Sequence, residues 1–523
     1  MHIFLYGPPG SGKTTLGSAL AEALALPFHD LDTVIEERAG KSIAEIFSSA
    51  GEAQFRLQEL EELHRLKGQS PSVVALGGGA LVNPAARAAA EEMGMVICLS
   101  AREPVLLERL RMESGVRPLL AGDPADRLHR LLEDRSAHYA SFALRLDTST
   151  SDMDGLVRLA ELLAGAFRVR GMGKDYDVRI QPGGIDHLGE RMKERGLLGA
   201  VVVVSDDHVG AIYLNRAIDS LHTAGLAASG FTIPAGEEHK NIETVQSVWD
   251  YFIQARVERG STIVALGGGV VGDLTGFAAA TFLRGVAWVN IPTTLLSMVD
   301  SSLGGKTGID LPQAKNLVGA FYPPRLVLAD PRVLQTLPER EIRNGLAEVI
   351  KHGIISDPDL FDLCARGLAE VKADLDRVAR QAMVVKLRVI EEDPYEKGVR
   401  AALNLGHTIG HGVELASNFR LSHGESVAIG TVAEARLAEH LGLAQKGFSD
   451  RIADVFAGCG LPVSIPDDLS VPEIVRSLQL DKKRSGGKVR FALPVRIGEV
   501  RTGVLVEDWA SILFGVRISP GGA

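Results

Sequence analysis

The sequence predicts an α/β protein of more than one domain, and three observations carry that expectation. A chain of 523 residues is longer than a single hydrophobic core serves. Residues 2–26 read as a short apolar run, a Gly-rich loop and an Ala/Leu-rich helical stretch. The hexapeptide VALGGG then occurs twice, at Val74–Gly79 and Val264–Gly269, and in both copies an apolar run breaks into three glycines. Such a break marks a strand end where the backbone turns tightly or approaches a ligand closely.

The bulk composition narrows the function classes. Hydrophobic content of 46% with 23% charged residues describes a soluble globular chain rather than a disordered one. A net charge of −10 and only 5% aromatic residues argue against a nucleic-acid partner, which wants cations and stacking platforms. Cys98, Cys364 and Cys459 are scattered and odd in number, fitting neither a disulfide framework nor a CxxC metal site. They fit small core residues in a reducing compartment. The opening MHIFLYGPPG lacks a secretory pattern, and no run approaches 18 apolar residues. A cytoplasmic location with no membrane partner is therefore expected.

In chain order, the first chemical signal is GPPGSGKTT, following the strand His2–Tyr6. Gly7, Gly12, Lys13 and Thr14 match G-x-x-x-x-G-K-[ST], with Gly10, Ser11 and Thr15 completing the loop. Glycines let backbone N–H groups curl round a phosphate, and the following helix adds its dipole. Lys13 reaches the outer phosphates and Thr14 faces Mg²⁺, so ATP with Mg²⁺ is the expected ligand. PFHDLDTVIEE follows, where Asp30 and Asp32 either hold a metal shell and accept a hydroxyl proton or cap the next helix. Arg56 lies in GEAQFRLQE amid Glu52, Glu59 and Glu61, which also fits a solvated ion-pair face. Arg117, in SGVRPLLAGDP, sits in a Gly/Pro-bounded loop of the kind that closes over a substrate, and Arg135 follows in EDRSAHY.

GPPGSGKTT, FHDLDTVIE, GEAQFR, LGGGA and RPLL, in that order, resemble shikimate kinase over about residues 1–165. The resemblance implies that Lys13 and Thr14 serve ATP and Mg²⁺, with Asp30 near the metal. It implies that Asp32 orients or deprotonates the substrate hydroxyl, and that Arg117 comes from the lid. Arg56, Gly78, Gly79 and Arg135 would hold the carboxylate and hydroxyls of shikimate, a guanidinium suiting a carboxylate because it binds it bidentately.

A kinase domain over 1–167 is expected to end at a short connector, 168–175, after which YDVRIQPGGI starts a fresh strand. AVVVVSDDHV reads as a buried parallel strand running into an acidic turn, and STIVALGGGVVGD repeats the pattern. Here the triple glycine extends to Gly267-x-Gly269-x-x-Gly272, the dinucleotide fingerprint after a strand; the first copy has Val82 where the last glycine belongs. The two VALGGG copies are thus separate turns in different domains. Arg284, in FLRG, and then Asp300, Lys306, Lys315 and Asn316 in the stretch from PTTLLSMVDSS to KNLVGAFYPP supply charge among glycines, pointing to an anionic substrate. GLAEVIKHG gives Glu348 and Lys351, NLGHTIGHG gives His407 and His411 one helical turn apart, and LSHGES gives His423. Two histidines and a carboxylate make a catalytic zinc set with an open position, and spacing alone does not choose between His407 and His411.

These motifs, with PAGEEHK and HGESVAIG in the same order, resemble 3-dehydroquinate synthase over about 175–515. The resemblance implies a Rossmann-like NAD domain over 176–334 and a mainly α-helical metal and substrate domain over 335–515, with 516–523 as a tail. It assigns Glu348, His407 and His423 to Zn²⁺ (or Co²⁺), leaving His411 on the substrate side. It places Asp206, Glu237, Lys240, Gly268, Gly269, Asp273, Thr293 and Thr294 along NAD⁺, with Asp207 the alternative to Asp206. Arg284, Lys306, Lys315, Asn316, Lys351, Lys386, Arg400 and Asn404 would surround the substrate, 3-deoxy-D-arabino-heptulosonate 7-phosphate. The implied reaction oxidises a hydroxyl, eliminates phosphate, returns the hydride and closes a carbocycle. A homodimer through this part is also implied. A different sugar-phosphate cyclase and a metal-dependent polyol dehydrogenase are the rival readings of this half, and a regulatory nucleotide module is the rival for the first.

Overall fold

In the computed structural model the chain divides into two compact units, 1–168 and 169–523. The structure describes residues 2–112, 124–150, 152–312, 314–395, 398–484 and 489–515; Arg117 and the tail 516–523 lie outside them.

The first unit is a parallel sheet of β1 (His2–Tyr6), β2 (Phe28–Asp30), β3 (Val73–Ala75), β4 (Gly94–Ser100) and β5 (Leu144–Asp147), in the order β2-β3-β1-β4-β5. β1 is buried along its whole length, as a central strand covered by helices on both faces must be. Helices Lys13–Leu24 and Met153–Ala164 pack on one face through Leu16, Leu20, Leu156 and Ala160. Phe55, Leu63 and Tyr139 belong to the core on the other. The strand order reverses beside β1, so the loop Gly7–Gly12 leaves its carboxyl end at the crevice where α/β sheets bind ligands.

A short strand, β6 (Ala166–Val169), straddles the boundary between the units. The second unit opens on a sheet of β7 (Tyr176–Ile180), β8 (Val201–Asp206), β9 (Ala228–Ile233), β10 (Thr262–Gly267), β11 (Ala287–Pro292) and β14 (Leu326–Ala329), ordered β7-β14-β11-β10-β8-β9. A hairpin of β12 (Lys306–Leu311) and β13 (Ala314–Phe321) precedes β14. From β9 the chain crosses to β10 on the far side of β8, so the reversal lies between β8 and β10. Both strands end in sequences already singled out, SDD and GGG.

Helices dominate after residue 338, with one departure from the helical expectation. β15 (Arg490–Arg496) and β16 (Glu499–Leu505) form an antiparallel hairpin whose Phe491 and Leu493 join Ile409, Val413, Ile429 and Trp509 in one core. Cys364 and Cys459 are buried in this part, while Cys98 is buried on β4 of the first unit. Helices His407–Ala416 and His423–His440 approach backbone to backbone. A methyl on Gly430 would collide with the Gly406 carbonyl and lie 2.7 Å from the Gly410 nitrogen; one on Gly410 would lie 2.8 Å from the Ser426 carbonyl. Overfilling such a contact forces rigid backbone apart. Gly430→Ala is expected to cost about 2 kcal/mol, read as a lowered urea midpoint of the metal-free chain; an unchanged midpoint would show that the two helices have slack.

Candidate active sites

In the first unit, Gly12 ends the loop at φ 85°, a left-handed conformation suited to glycine, and helix Lys13–Leu24 begins at once. Its first-turn N–H groups therefore face the space over the loop. The Lys13 ammonium donates to the Gly7 and Pro8 carbonyls, both at 3.0 Å. Ser11 Oγ is buried with no hydrogen-bond partner among the described residues. Thr14 Oγ1 donates to Asp30 Oδ2 at 2.7 Å, while Asp30 Oδ1 accepts the Asp32 N–H at 3.2 Å. Asp30 is thus a helix cap and a partner of the loop threonine together.

The triple glycine after β3 explains itself by its neighbours. A methyl on Gly77 would collide with Glu59 Oε1 and lie 3.0 Å from Asp32 Oδ1. One on Gly79 would collide with the Arg56 guanidinium. Arg56 is held by Glu59 at 2.6 Å and Glu52 at 2.8 Å. Burial pushes the Glu59 carboxyl up to about 7 against the pull of Arg56, with Asp32 adding repulsion. The Gly78 carbonyl accepts from Arg135 at 3.0 Å, Tyr139 at 2.9 Å and Tyr6 at 3.3 Å. In a planar trans peptide this turns the Gly79 N–H to the opposite side. Asp32, Arg56, Gly78, Gly79 and Arg135 are thus linked through a few contacts. Glu59 is the member the sequence reading passed over, because a glutamate three residues from an arginine on a helix reads as surface.

In the second unit the expected cofactor residues line the carboxyl edge of the sheet. Asp206 ends β8 and caps the next helix by accepting the Val209 N–H at 2.7 Å, whereas Asp207 accepts the Ala235 N–H at 3.2 Å. Gly268 caps helix Gly269–Thr281, and the methyl it lacks would lie 3.2 Å from Thr294 Cγ2, leaving room for a close backbone approach. Thr293 Oγ1 is buried with no hydrogen-bond partner among the described residues. Buried Lys240 donates to Asp273 at 2.7 Å and Asn316 at 2.6 Å. An open glycine turn at a helix N-terminus beside an orphaned hydroxyl fits a dinucleotide.

Next to this edge stands a cluster of histidines and carboxylates. Glu348, fully buried on helix Glu339–Ser356, faces His423 Nε2 at 3.3 Å and His407 Nε2 at 3.6 Å through Oε1, and Lys351 through Oε2. One ligand atom from each of Glu348, His407 and His423 lies within 4.8 Å of the others. His411 is one turn on from His407, rings 5.2 Å apart, and groups instead with Glu414 and His423. Burial opposes the Glu348 charge, but the Lys351 ammonium and the two imidazoles hold its carboxyl well below the usual range. His423 is opposed by burial too, and Glu348 and Glu414 lift it to about 9. Two imidazoles and a carboxylate, with no fourth protein ligand in the set among the described residues, fit zinc or cobalt of the catalytic kind.

A backbone carbonyl and a neighbouring carboxylate orient this set. The Leu405 carbonyl lies 3.2 Å from His407 Nδ1, and Glu414 Oε2 lies 3.8 Å from His423 Nδ1, so both histidines turn Nε2 towards Glu348. Lys315 reaches Glu414 at 3.1 Å and Glu237 at 3.5 Å, tying the nucleotide edge to the cluster. Asp300 pairs with buried Lys386; burial opposes its charge, and the ammonium nonetheless brings it down to about 2. Buried Arg400 donates to the Pro394 carbonyl at 2.6 Å. Lys306 is exposed on β12, and Asn404 closes the turn ahead of Leu405. Arg284 is exposed in a turn where Leu283 and Arg284 both have positive φ, 48° and 66°, and no described contact joins it to the cluster. Glu414 and buried His352, whose nitrogens have no hydrogen-bond partner among the described residues, were not anticipated.

Comparison with known proteins gives the same division. The family model for shikimate kinase matches residues 9–160, that for the 3-dehydroquinate synthase N-terminal part matches 230–344, and that for its C-terminal part matches 345–484. A 3-dehydroquinate synthase of Nostoc punctiforme is 47% identical over 334 residues, covering 62% of this chain and 92% of that protein. Among solved structures, a 2-deoxy-scyllo-inosose synthase with carbaglucose-6-phosphate, NAD⁺ and Co²⁺ is 27% identical at a TM-score of 0.61, covering 66% of this chain and 99% of its own. ValA, the 2-epi-5-epi-valiolone synthase of Streptomyces hygroscopicus, with NAD⁺ and Zn²⁺ bound, is 32% identical at 0.58, covering 64% and 94%.

Metal content of gel-filtered protein tests the cluster. Zinc is expected to be stoichiometric in the wild type and lost in His423→Ala, and Glu414→Ala is expected to weaken it about tenfold by freeing the His423 ring. Full zinc retention by His423→Ala would remove that residue from the ligand set.

Proposed function

We propose, for a chain that belongs to the 3-dehydroquinate synthase family and carries a shikimate kinase domain ahead of it, two activities of one biosynthetic pathway. The first unit phosphorylates shikimate with ATP and Mg²⁺; the second cyclises 3-deoxy-D-arabino-heptulosonate 7-phosphate to 3-dehydroquinate with loss of phosphate. The observation that carries the second reading is the Glu348, His407 and His423 set beside a dinucleotide crevice, bridged to it by Lys315.

In the kinase unit, the Asp32 carboxylate is the group to orient or take the hydroxyl proton of shikimate, and Arg56 and Arg135 suit its carboxylate. Glu59 fixes the Arg56 fork against Gly79, so recognition starts from a held guanidinium. Lys13, Thr14 and the loop N–H groups serve the phosphates, with Mg²⁺ supplying charge neutralisation there when bound. Arg117 is assigned to the lid.

In the synthase unit, bound NAD⁺ supplies reversible hydride acceptance and the divalent cation a Lewis acid for substrate hydroxyls. The chain's own part is positioning and charge. Glu348, His407 and His423 would hold the cation; Gly268, Gly269, Thr293, Thr294, Asp206, Glu237, Lys240 and Asp273 would hold the dinucleotide. Lys351 and Lys386 enter as buried ammonium groups already balanced by Glu348 and Asp300, so developing oxyanions meet cations held in place. Lys306, Lys315, Asn316, Arg400, Asn404 and Arg284 are assigned to phosphate, carboxylate and hydroxyls, and His411 to the substrate side. The reaction returns the hydride it takes, so no net change in NAD⁺ is expected.

Phosphorus NMR of the purified chain with the heptulosonate phosphate is expected to show inorganic phosphate only when NAD⁺ and zinc are both present. Absence of release from folded, metal-loaded protein would redirect the second unit to another sugar phosphate, and net NADH accumulation with an alcohol would make it a dehydrogenase. Lys13→Ala is expected to abolish shikimate phosphorylation while leaving phosphate release intact; retained kinase turnover would sink the loop assignment. Glu59→Gln is expected to raise the KM for shikimate about tenfold with a smaller change in kcat, because it loosens a binding group rather than the proton acceptor.

A further inference from the structure

His407 does not end the hydrogen-bond chain that begins at Glu348. Its Nδ1 faces the Leu405 carbonyl at 3.2 Å, and the same peptide unit continues as the Gly406 N–H. That N–H donates to Glu434 Oε2 at 2.6 Å, and Glu434 Oε1 accepts the Ile409 N–H at 3.3 Å. Glu434 is fully buried and sits three turns into helix His423–His440, whose first residue is His423 itself. Gly406, the N-cap of helix His407–Ala416, has φ 79° and no side chain with which to cap. The cap therefore comes from the neighbouring helix. The approach needs glycine, since a methyl on Gly406 would collide with Thr431 Oγ1.

We propose that Glu434 is a positioning residue for the metal centre, acting through the Leu405–Gly406 peptide on the His407 imidazole. A carboxylate bonded directly to a ligating histidine fixes its tautomer and raises its basicity. Here a planar trans amide, with N–H and C=O on opposite sides, is interposed. The carboxylate polarises the amide, the carbonyl becomes a stronger acceptor for Nδ1–H, and Nε2 becomes a better donor towards a cation. Glu414 beside His423 Nδ1 is the direct version, so the two histidines would be tuned by different routes. Burial pushes the Glu434 carboxyl up to about 8, against the Gly406 and Ile409 N–H groups that favour its charge.

The inference rests on the proposed metal-dependent function, and the test separates the two. Zinc affinity of the full chain is measured by chelator competition for wild type and Glu434→Gln, which keeps the size and one acceptor oxygen. The dissociation constant is expected to rise ten- to a hundredfold, about the effect of losing such a partner. A purely structural role would lower the thermal midpoints of the metal-free and zinc-loaded proteins alike and leave the affinity of folded protein unchanged, which overturns the relay. Wild-type protein with no zinc affinity overturns the relay and the synthase reading together. Should Glu434→Gln not fold, nitrogen-15 spectra of metal-free wild type decide: the His407 proton is expected on Nδ1, and finding it on Nε2 overturns the relay.

Discussion

A carboxylate with no exposure to water sets the terms for the second unit. Glu348 is ionised inside a core, which costs several kcal/mol unless charge and hydrogen bonds surround it. Its neighbours answer that demand from different elements: Lys351 from the next turn, His407 from a second helix, His423 from a third. Each is itself fixed, Lys351 by the Leu403 carbonyl, His407 by the Leu405 carbonyl, His423 by a Ser422–Glu425 capping box at its helix start. Rigid placement is what a metal set requires, and the glycine-mediated contact of the two histidine helices supplies it.

The first unit meets a similar problem with fewer charges. Glu59 and Asp32 approach one another beside Gly77, and Arg56 keeps the pair tolerable. Gly77 and Gly79 are glycines because carboxylate oxygens and guanidinium nitrogens, respectively, occupy the space their methyl groups would take. In the second unit the same three letters serve differently: the first ends β10, the second caps the next helix and the third begins it, at an edge that a dinucleotide fits.

Glycine-rich motifs were legible because they encode backbone shape locally. The loop after β1, the turn after β10 and the histidine pair one turn apart could all be placed on strand ends or helices from their spacing. Glu59, Glu414 and Glu434 were not, since a glutamate on a helix looks solvated until its tertiary neighbour is known. Lys240, Asp273 and Asn316 were each singled out, yet nothing in their spacing showed that one ammonium binds both partners. Asp30 and Asp206 show that a capping role and a place at a site are not alternatives, because strand ends that feed helices are also where α/β sheets bind ligands. The hairpin Arg490–Leu505 was missed although FALPV is apolar enough for a strand; the expectation of helices outweighed it.

The three cysteines give the chain an internal chemical clock. Cys98 is buried in the first unit, and burial pushes its thiol up to about 11; Cys364 and Cys459 are buried in the second and likewise raised. A thiol that is neither exposed nor ionised is inert to alkylation until its surroundings open. Modification of Cys98 therefore times the opening of the kinase unit and modification of Cys364 and Cys459 that of the synthase unit, so the kinetic stability of each half is recorded separately in one untagged polypeptide.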